Sequence, residues 1–172
     1  MLRGAILTGL FTIPFLAFFV SGSLLFPFIA GKNFAFRIIV EIIFVLWAIL
    51  AMRDKEYLPR RSWILYAYTA FFIIIACADM FGANPVRSFW SNFERMDGLI
   101  AHIHFYLYFI VLSSVFYKEQ LWNWFLGTWV GAGTIMSFYG LLQVAGKITI
   151  NQGGARLDGT FGNATYLAVF LV

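Results

Sequence analysis

Charged residues are scarce in this sequence. Only 12% of its 172 residues are Asp, Glu, Lys or Arg, whereas a soluble domain has about 25%. One cysteine, Cys77, excludes an internal disulfide, and four prolines with 15 glycines exclude a collagen-like or low-complexity chain. The net charge of +4 is dispersed and does not indicate a nucleic-acid partner. What the chain has instead is 62% apolar residues, including 21 Phe, which excludes disorder and suits lipid better than water.

The few charges are separated by long apolar runs that predict membrane helices. Crossing a hydrocarbon core of about 30 Å takes about 20 apolar residues. Five runs reach about that length and a sixth begins before the chain stops: 4–29, 34–52, 63–81, 98–117, 121–146 and 164–172. We therefore expect an all-α, polytopic transmembrane helical bundle in one domain, with five complete spans and the start of a sixth. Because the last run covers only about half of the core, we interpret the sequence as the N-terminal part of a longer protein.

Positive charges on short loops predict the orientation. With the N-terminus inside, Arg3, Lys118 and the four cations between Arg53 and Arg61 lie on the cytoplasmic side. The remaining cations then lie outside: Lys32, Arg87, Arg95, Lys147 and Arg156. The excess of cytoplasmic cations over outward cations is small, but the compact basic segment directly follows a span. We therefore expect a multi-pass protein with a cytoplasmic N-terminus.

The outward connection 82–98 holds two arginines beside aromatic side chains. Asn84-Pro85 signals a turn or the start of a helix. Four residues suit a segment lying along the membrane surface: Ser88, Phe89, Trp90 and Phe93. Arg87 and Arg95 flank them, and their planar donor forks suit a lipid pyrophosphate. The alternatives are ordinary phospholipid headgroups or ion pairs with nearby carboxylates: Glu94, Asp97 and, at the outer end of the third span, Asp79.

The second outward connection, 151–163, is rich in glycine and leads into the last apolar run. Glycine lets the backbone approach an anion closely, and the amides at a helix N-terminus favour negative charge. Arg156 is therefore a third candidate for pyrophosphate contact, with Asp158 and Asn163 as possible accessory residues.

Arg37, Glu41 and both histidines also lie inside the apolar runs. Arg37 and Glu41 are four residues apart, so we expect a structural ion pair on one helix face, with a functional role as the alternative. His102 and His104 are two apart and point in different directions, which does not fit a two-histidine metal site. We interpret them as structural or interfacial, with proton handling or substrate contact as the alternative. We expect no metal and no cofactor.

Two outward motifs resemble a known family. Residues 81–85 read Phe-Gly-Ala-Asn-Pro, residues 87–99 read Arg-Ser-Phe-Trp-Ser-Asn-Phe-Glu-Arg-Met-Asp-Gly-Leu, and residues 156–168 read Arg-Leu-Asp-Gly-Thr-Phe-Gly-Asn-Ala-Thr-Tyr-Leu-Ala. Together they resemble the N-terminal half of O-antigen ligase-like and O-antigen polymerase-like bacterial membrane proteins. Ala164 stands where those proteins usually have proline.

The resemblance implies a glycan transferase of the bacterial inner membrane. Such an enzyme moves a glycan from an undecaprenyl-pyrophosphate carrier to a glycan, lipid or protein acceptor on the periplasmic side. Its catalytic residues would follow residue 172, so this segment alone is expected to be inactive. Arg87, Arg95 and Arg156 would contact the pyrophosphate, with Asp79, His102, His104, Asp158 and Asn163 as possible accessory residues.

Two other functions stay open at this point. One is a transporter or channel-like module for a small anion or solute, with a polar path lined by Arg37, Glu41 and the histidines. The other is a non-catalytic membrane subunit that scaffolds partners. An outward lateral groove open to lipid favours the transferase, whereas a midplane cavity lined by Arg37 and Glu41 favours transport.

Overall fold

The computed structural model describes residues 1–92, 94–151 and 154–172. Phe93 of the predicted surface segment, and Gln152 and Gly153 of the glycine-rich connection, lie outside the described residues. Within them the chain is helical and has no β-strand, which confirms the all-α prediction. The α-helices are α1 (Leu2–Thr12), α2 (Ala30–Arg53), α3 (Trp63–Met80), α4 (Pro85–Trp90), α5 (Leu99–Val115), α6 (Glu119–Val144) and α7 (Ala164–Leu171).

Three of these helices are long and apolar enough to cross a membrane: α2, α3 and α6. Two other predicted spans correspond to shorter apolar helical segments, Leu2–Phe18 and Leu99–Val115. The last apolar run forms α7. Five complete crossings therefore stay a prediction, while each of the six runs contains a helix.

The first predicted span differs from the structure over its second half. After α1 the chain continues as a 3-10 helix, Ile13–Phe18, and then becomes extended at Phe19. Residues 19–29 are not helical, and the Ser21 amide donates to the carbonyl of Pro27 at 3.1 Å. Serine and glycine at 21–23 compete with or weaken a helix, and Pro27 removes a donor. The run 4–29 is therefore uncharged but does not form one continuous helix.

The main core lies where α1, α2 and α5 meet. Fully buried residues from each helix form it, including Ile6, Leu10, Ile43 and Val111. Gly9 lets α2 approach α1 so closely that a Cβ atom there would collide with the side chain of Ile43. In contrast, α3 has no buried residue. The helices with which it makes substantial contact are α4 and α5. One side of the bundle is thus well packed and the other presents apolar surface.

A second, smaller core holds the glycine-rich connection against α6. Ala17, Met136 and Leu167 are buried there, with Leu157, Phe161 and Phe170 packed around them. This cluster joins the end of the 3-10 helix, α6 and α7. It therefore places α7 and its preceding loop beside the start of α2, where the candidate site lies.

Candidate functional site

A groove of about 800 Å³ lies between the start of α2, residues 95–97 and the helices α6 and α7. Lys32, Asn33, Arg95, Asp97 and Thr165 supply its polar lining. Its apolar lining comes from Phe28, Ile29, Trp129, Phe161, Tyr166, Val169 and Phe170. A smaller hollow of about 260 Å³ shares Arg95 and Tyr166 with it and adds Gly162 and Asn163. The site thus combines polar and charged groups with a long apolar wall.

Arg95 is the predicted pyrophosphate ligand that lines both hollows. Its guanidinium carbon lies 4.3 Å from the ring centre of Phe26, so one face of the group is stacked. Its Nε atom is buried and has no hydrogen-bond partner among the described residues. An unsatisfied buried donor costs about 1–3 kcal/mol. Because this Nε atom is shielded from solvent, a ligand in the groove would meet the other N–H groups of the guanidinium.

Arg37 holds the backbone that carries Arg95. The Arg37 side chain is buried, and its Nη2 atom donates to the carbonyl oxygen of Arg95 at 3.3 Å and to that of Met96. Met96 has a φ of 54°, the left-handed region that such side chains rarely adopt. Asn33 adds a second tie, since its Nδ2 donates to Oδ1 of Asp97 at 2.9 Å. Residues 95–97 are therefore fixed to the first turns of α2.

The predicted ion pair between Arg37 and Glu41 is wrong. Arg37 is engaged with backbone carbonyls, and the ion contact within the described residues joins Glu41 to His104 instead. A spacing of four on a helix allows a pair, but it does not exclude better partners from elsewhere in the chain.

Lys32 is a groove cation that the sequence did not single out. Its ammonium donates to the carbonyl of Phe28 at 3.0 Å and to that of Thr160, and it lies 4.6 Å from the ring centre of Phe161. An ammonium has three N–H donors, so at most one remains for a ligand. The available signal was its position at the outer end of the second apolar run. Nothing local in the sequence indicated that Trp129 and Tyr166 line the same groove.

The glycine-rich connection is held by a buried hydrogen-bond network. Oδ1 of Asp158 accepts from Nε2 of Gln143 at 2.7 Å, and its Oδ2 accepts from the Asn151 amide at 2.8 Å. Oε1 of Gln143 accepts from the amide of Gly159 at 3.0 Å. The hydroxyl of Thr160 donates to the carbonyl of Ala17 at 2.6 Å. Asp158 therefore anchors this loop to α6.

Two glycines of the connection have a packing role. Gly159 and Gly162 have φ values of 54° and 62°, where residues with a side chain are strained. A Cβ at position 162 would also collide with the ring of Phe28. This close contact joins the loop before α7 to the segment before α2.

The other predicted site residues lie apart from the groove lining. Arg87 is exposed on α4 and Arg156 is exposed on the glycine-rich connection. Asp79 lines a different hollow of about 270 Å³ beside α4, and it forms no ion pair with Arg87 or Arg95 in the described residues. Asn163 lines the smaller hollow and caps α7, its Oδ1 accepting from the Thr165 amide at 2.8 Å.

His104 pairs with Glu41 on the opposite side of this region. His104 is buried, whereas His102 is only partly so, which agrees with their predicted divergence. The Nδ1 atom of His104 lies 2.7 Å from the carbonyl oxygen of Ile100, and a carbonyl only accepts, so Nδ1 carries a proton. Its Nε2 lies 3.1 Å from Oε1 of Glu41, and this hydrogen bond needs one further proton on either atom.

No group of three or more His, Cys, Asp or Glu side chains converges within 1–92, 94–151 and 154–172 in a way that could hold a metal ion. The chain was also compared with known proteins. No family model, no curated protein and no solved structure matches it.

Proposed function

We propose that this chain forms the outward donor-binding part of a bacterial inner-membrane glycan transferase, in which an undecaprenyl-pyrophosphate carrier lies in the groove described above. The observation that carries the proposal is the groove itself. Its lining combines the cations Arg95 and Lys32 with aromatic and aliphatic side chains. The resemblance of the two outward motifs to O-antigen ligase-like proteins supports the same assignment.

The chemistry of glycan transfer matches these groups. The bond between the anomeric carbon and the phosphate oxygen breaks, the acceptor oxygen forms the new bond and loses its proton, and the pyrophosphate leaves with added negative charge. Fixed cationic donors in a partly dehydrated site stabilise that charge. Arg95 suits this role because it lines the groove and its ring contact holds the guanidinium in place.

One residue of the groove lining has a negative charge, which would repel an anion. Asp97 carries this charge, but its Oδ1 already accepts from Asn33. The described groove lining therefore contains two cations and one carboxylate. The pyrophosphate is expected on the side of Arg95 and Lys32, with the isoprenoid along Trp129, Val169 and Phe170.

The transport alternative finds less support. It needs a polar cavity at the midplane lined by Arg37 and Glu41. Arg37 is buried against the carbonyls of residues 95 and 96, and the Glu41 side chain points out of the bundle with 63% of its surface exposed. A groove that combines cations with many apolar lining residues favours a lipid-linked substrate instead.

Ligand binding tests the proposal directly. The purified chain in nanodiscs is titrated with undecaprenyl pyrophosphate and, as a matched uncharged lipid, with undecaprenol. We expect the pyrophosphate lipid to bind more tightly, and Arg95→Gln to weaken its binding about tenfold, because a charge-assisted hydrogen bond contributes about 1.5–3 kcal/mol.

Arg87→Gln is the matched control. It removes the same charge from the same connection but at an exposed position outside the groove lining, so binding is expected to change less than about twofold. Equal binding of the two lipids, or equal loss in both variants, would overturn the proposal.

A further inference from the structure

Three cations from separate parts of the chain meet around the ring of Tyr117. The guanidinium carbons of Arg3 and Arg60 lie 5.3 and 5.8 Å from the ring centre, and the Lys118 ammonium lies 5.8 Å from it. Arg3 belongs to α1, Arg60 to the connection between α2 and α3, and Lys118 directly precedes α6. A ring has two faces, so at least two of the three cations share one. We call these four residues the Tyr117 cluster.

The positive charge of the Tyr117 cluster is unmatched. The carboxylates closest to it in sequence are Asp54, Glu56 and Glu119. Among the described residues none of them forms an ion pair with the three cations, and Oδ1 of Asp54 instead accepts from the Glu56 amide at 3.0 Å. Like charges at this separation repel one another, and an anion between them would replace repulsion by attraction.

An apolar groove of about 440 Å³ begins one helical turn from the cluster, between α1 and α6. Leu7 lines it and lies four residues after Arg3 on the same face of α1, and Leu121 lines it three residues after Lys118. The groove then continues away from the cluster. Its other lining residues are Thr8, Phe11, Thr12, Phe15 and Trp124.

We propose that the Tyr117 cluster and this groove together bind an anionic diacyl phospholipid, with the phosphate among the cations and an acyl chain between α1 and α6. Charge complementarity selects an anion, because arginine and lysine N–H groups donate to phosphate oxygens. The adjoining apolar groove selects an anion that carries a hydrocarbon chain. Basic pockets between membrane helices on the cytoplasmic side bind anionic headgroups in this way, and the predicted orientation places the cluster on that side.

This inference goes beyond the proposed function. The Tyr117 cluster and its groove share no residue with the groove that contains Arg95. In the predicted topology the two sites also lie at opposite ends of the helices. Failure of pyrophosphate binding would therefore leave the phospholipid site unaffected.

Lipid binding to the complete chain tests the proposal. The protein is purified in an uncharged detergent and titrated with phosphatidylglycerol or with phosphatidylcholine of the same acyl chains, and bound lipid is counted by native mass spectrometry. We expect phosphatidylglycerol to bind about tenfold more tightly, because its headgroup keeps a net negative charge. Glycerol phosphate, which has no acyl chain, should not displace it at about tenfold excess, because it lacks the apolar contacts.

Paired charge variants test the cluster. Arg60→Gln together with Lys118→Gln removes two exposed cations beside Tyr117, and we expect it to weaken phosphatidylglycerol binding about tenfold. Arg53→Gln together with Arg61→Gln is the matched control, since it removes two exposed cations of the same connection that lie outside the cluster. Its binding should change less than about twofold.

A second pair of variants tests the groove. Thr8→Phe places a ring in the groove and should weaken phosphatidylglycerol binding about fivefold or more, because it displaces the acyl chain. Thr134→Phe is the matched control on α6, outside the groove lining. Both threonines are exposed, and both hydroxyls donate to the carbonyl oxygen four residues earlier, at 3.1 and 2.8 Å.

Several results would overturn the proposal. Equal binding of the two phospholipids, or equal loss in the two double charge variants, would show that the cluster does not select the headgroup. Displacement by glycerol phosphate at that excess would identify a site for free phosphate instead. Equal binding to the Thr8→Phe and Thr134→Phe variants would remove the acyl chain from the groove.

Discussion

Arg37 fixes the position of the backbone that carries Arg95. Its side chain enters an apolar core at 7% exposure, and backbone carbonyls of residues 95 and 96 receive its N–H groups. Carbonyl dipoles satisfy a guanidinium well because its donors form a planar fork. The same contacts hold Met96 in a left-handed conformation, which is strained for a residue with a side chain. Arg37 is therefore a positioning residue for Arg95.

Arg37→Gln is expected to weaken undecaprenyl pyrophosphate binding without touching the ligand, since the shortened side chain no longer holds residues 95 and 96. The measurement is a double-mutant cycle with Arg95→Gln, read as lipid binding in nanodiscs. We expect a coupling of about 1 kcal/mol or more, because once Arg37 is lost the loss of Arg95 has a smaller effect. Arg53→Gln, at the other end of α2, serves as the control. Additive losses would show that the two arginines act independently.

At the scale of elements, the segments before α2 and before α7 support each other. The ring of Phe28 fills the space that the missing side chain of Gly162 leaves open. Lys32 bonds the carbonyl of Thr160 from the first turn of α2. Neither segment is helical, so neither is stabilised by helical hydrogen bonds. These contacts stabilise the two segments instead.

Gly162→Ala is expected to destabilise the protein by about 1–3 kcal/mol, because it adds a Cβ at a positive φ and pushes against Phe28. Thermal unfolding in detergent measures the change. Gly154→Ala is the control: its φ is not in the left-handed region, and a Cβ there would lie 3.9 Å from the nearest heavy atom, the amide nitrogen of Arg156. Equal midpoints for the two variants would contradict the role of the contact.

Helices were predictable from the sequence, and the bends between them less so. Hydropathy located α2, α3, α5 and α6 because an apolar run must satisfy its own backbone donors. It misjudged residues 19–29, since the absence of charge carries no information about serine, glycine and proline breaking a helix.

The site was only partly predictable for a different reason. By residue type and side of the membrane, Arg87, Arg95 and Arg156 were equivalent candidates. The bond from Arg37 to the Arg95 carbonyl, which spans 58 positions in the chain, distinguishes Arg95 from the other two. Lys32 was missed likewise because its partner Thr160 is 128 positions away. Contacts of this kind leave no local pattern in a single sequence.

At the scale of the whole molecule, the bundle presents apolar surface over much of its outside. Helix α3 has no buried residue, and large side chains of α6 such as Val130 and Phe138 are 70% and 63% exposed. Exposed apolar area on this scale marks contact with lipid or other protein. This supports a membrane location for the chain.

Cysteine labelling tests the five-span topology and its orientation. In a Cys77→Ser background, a cysteine replaces Ala83, Glu56 or Lys118 in turn. We expect a membrane-impermeant thiol reagent to label position 83 in intact spheroplasts, and positions 56 and 118 after permeabilisation alone, because α3 and α5 separate these sites. Labelling of 118 together with 83 would show that α5 does not cross, and a complete reversal would invert the orientation.

The bond between Lys32 and Thr160 also bears on the kinetics of binding. It joins the first turn of α2 to the connection before α7, so the separation of these two segments is set before any ligand arrives. A site of this kind loses little conformational entropy on binding, and more of the contact energy remains as affinity. For the lipid carrier of the proposed function, the residence time would then depend on how firmly the charged groups of the groove hold the pyrophosphate.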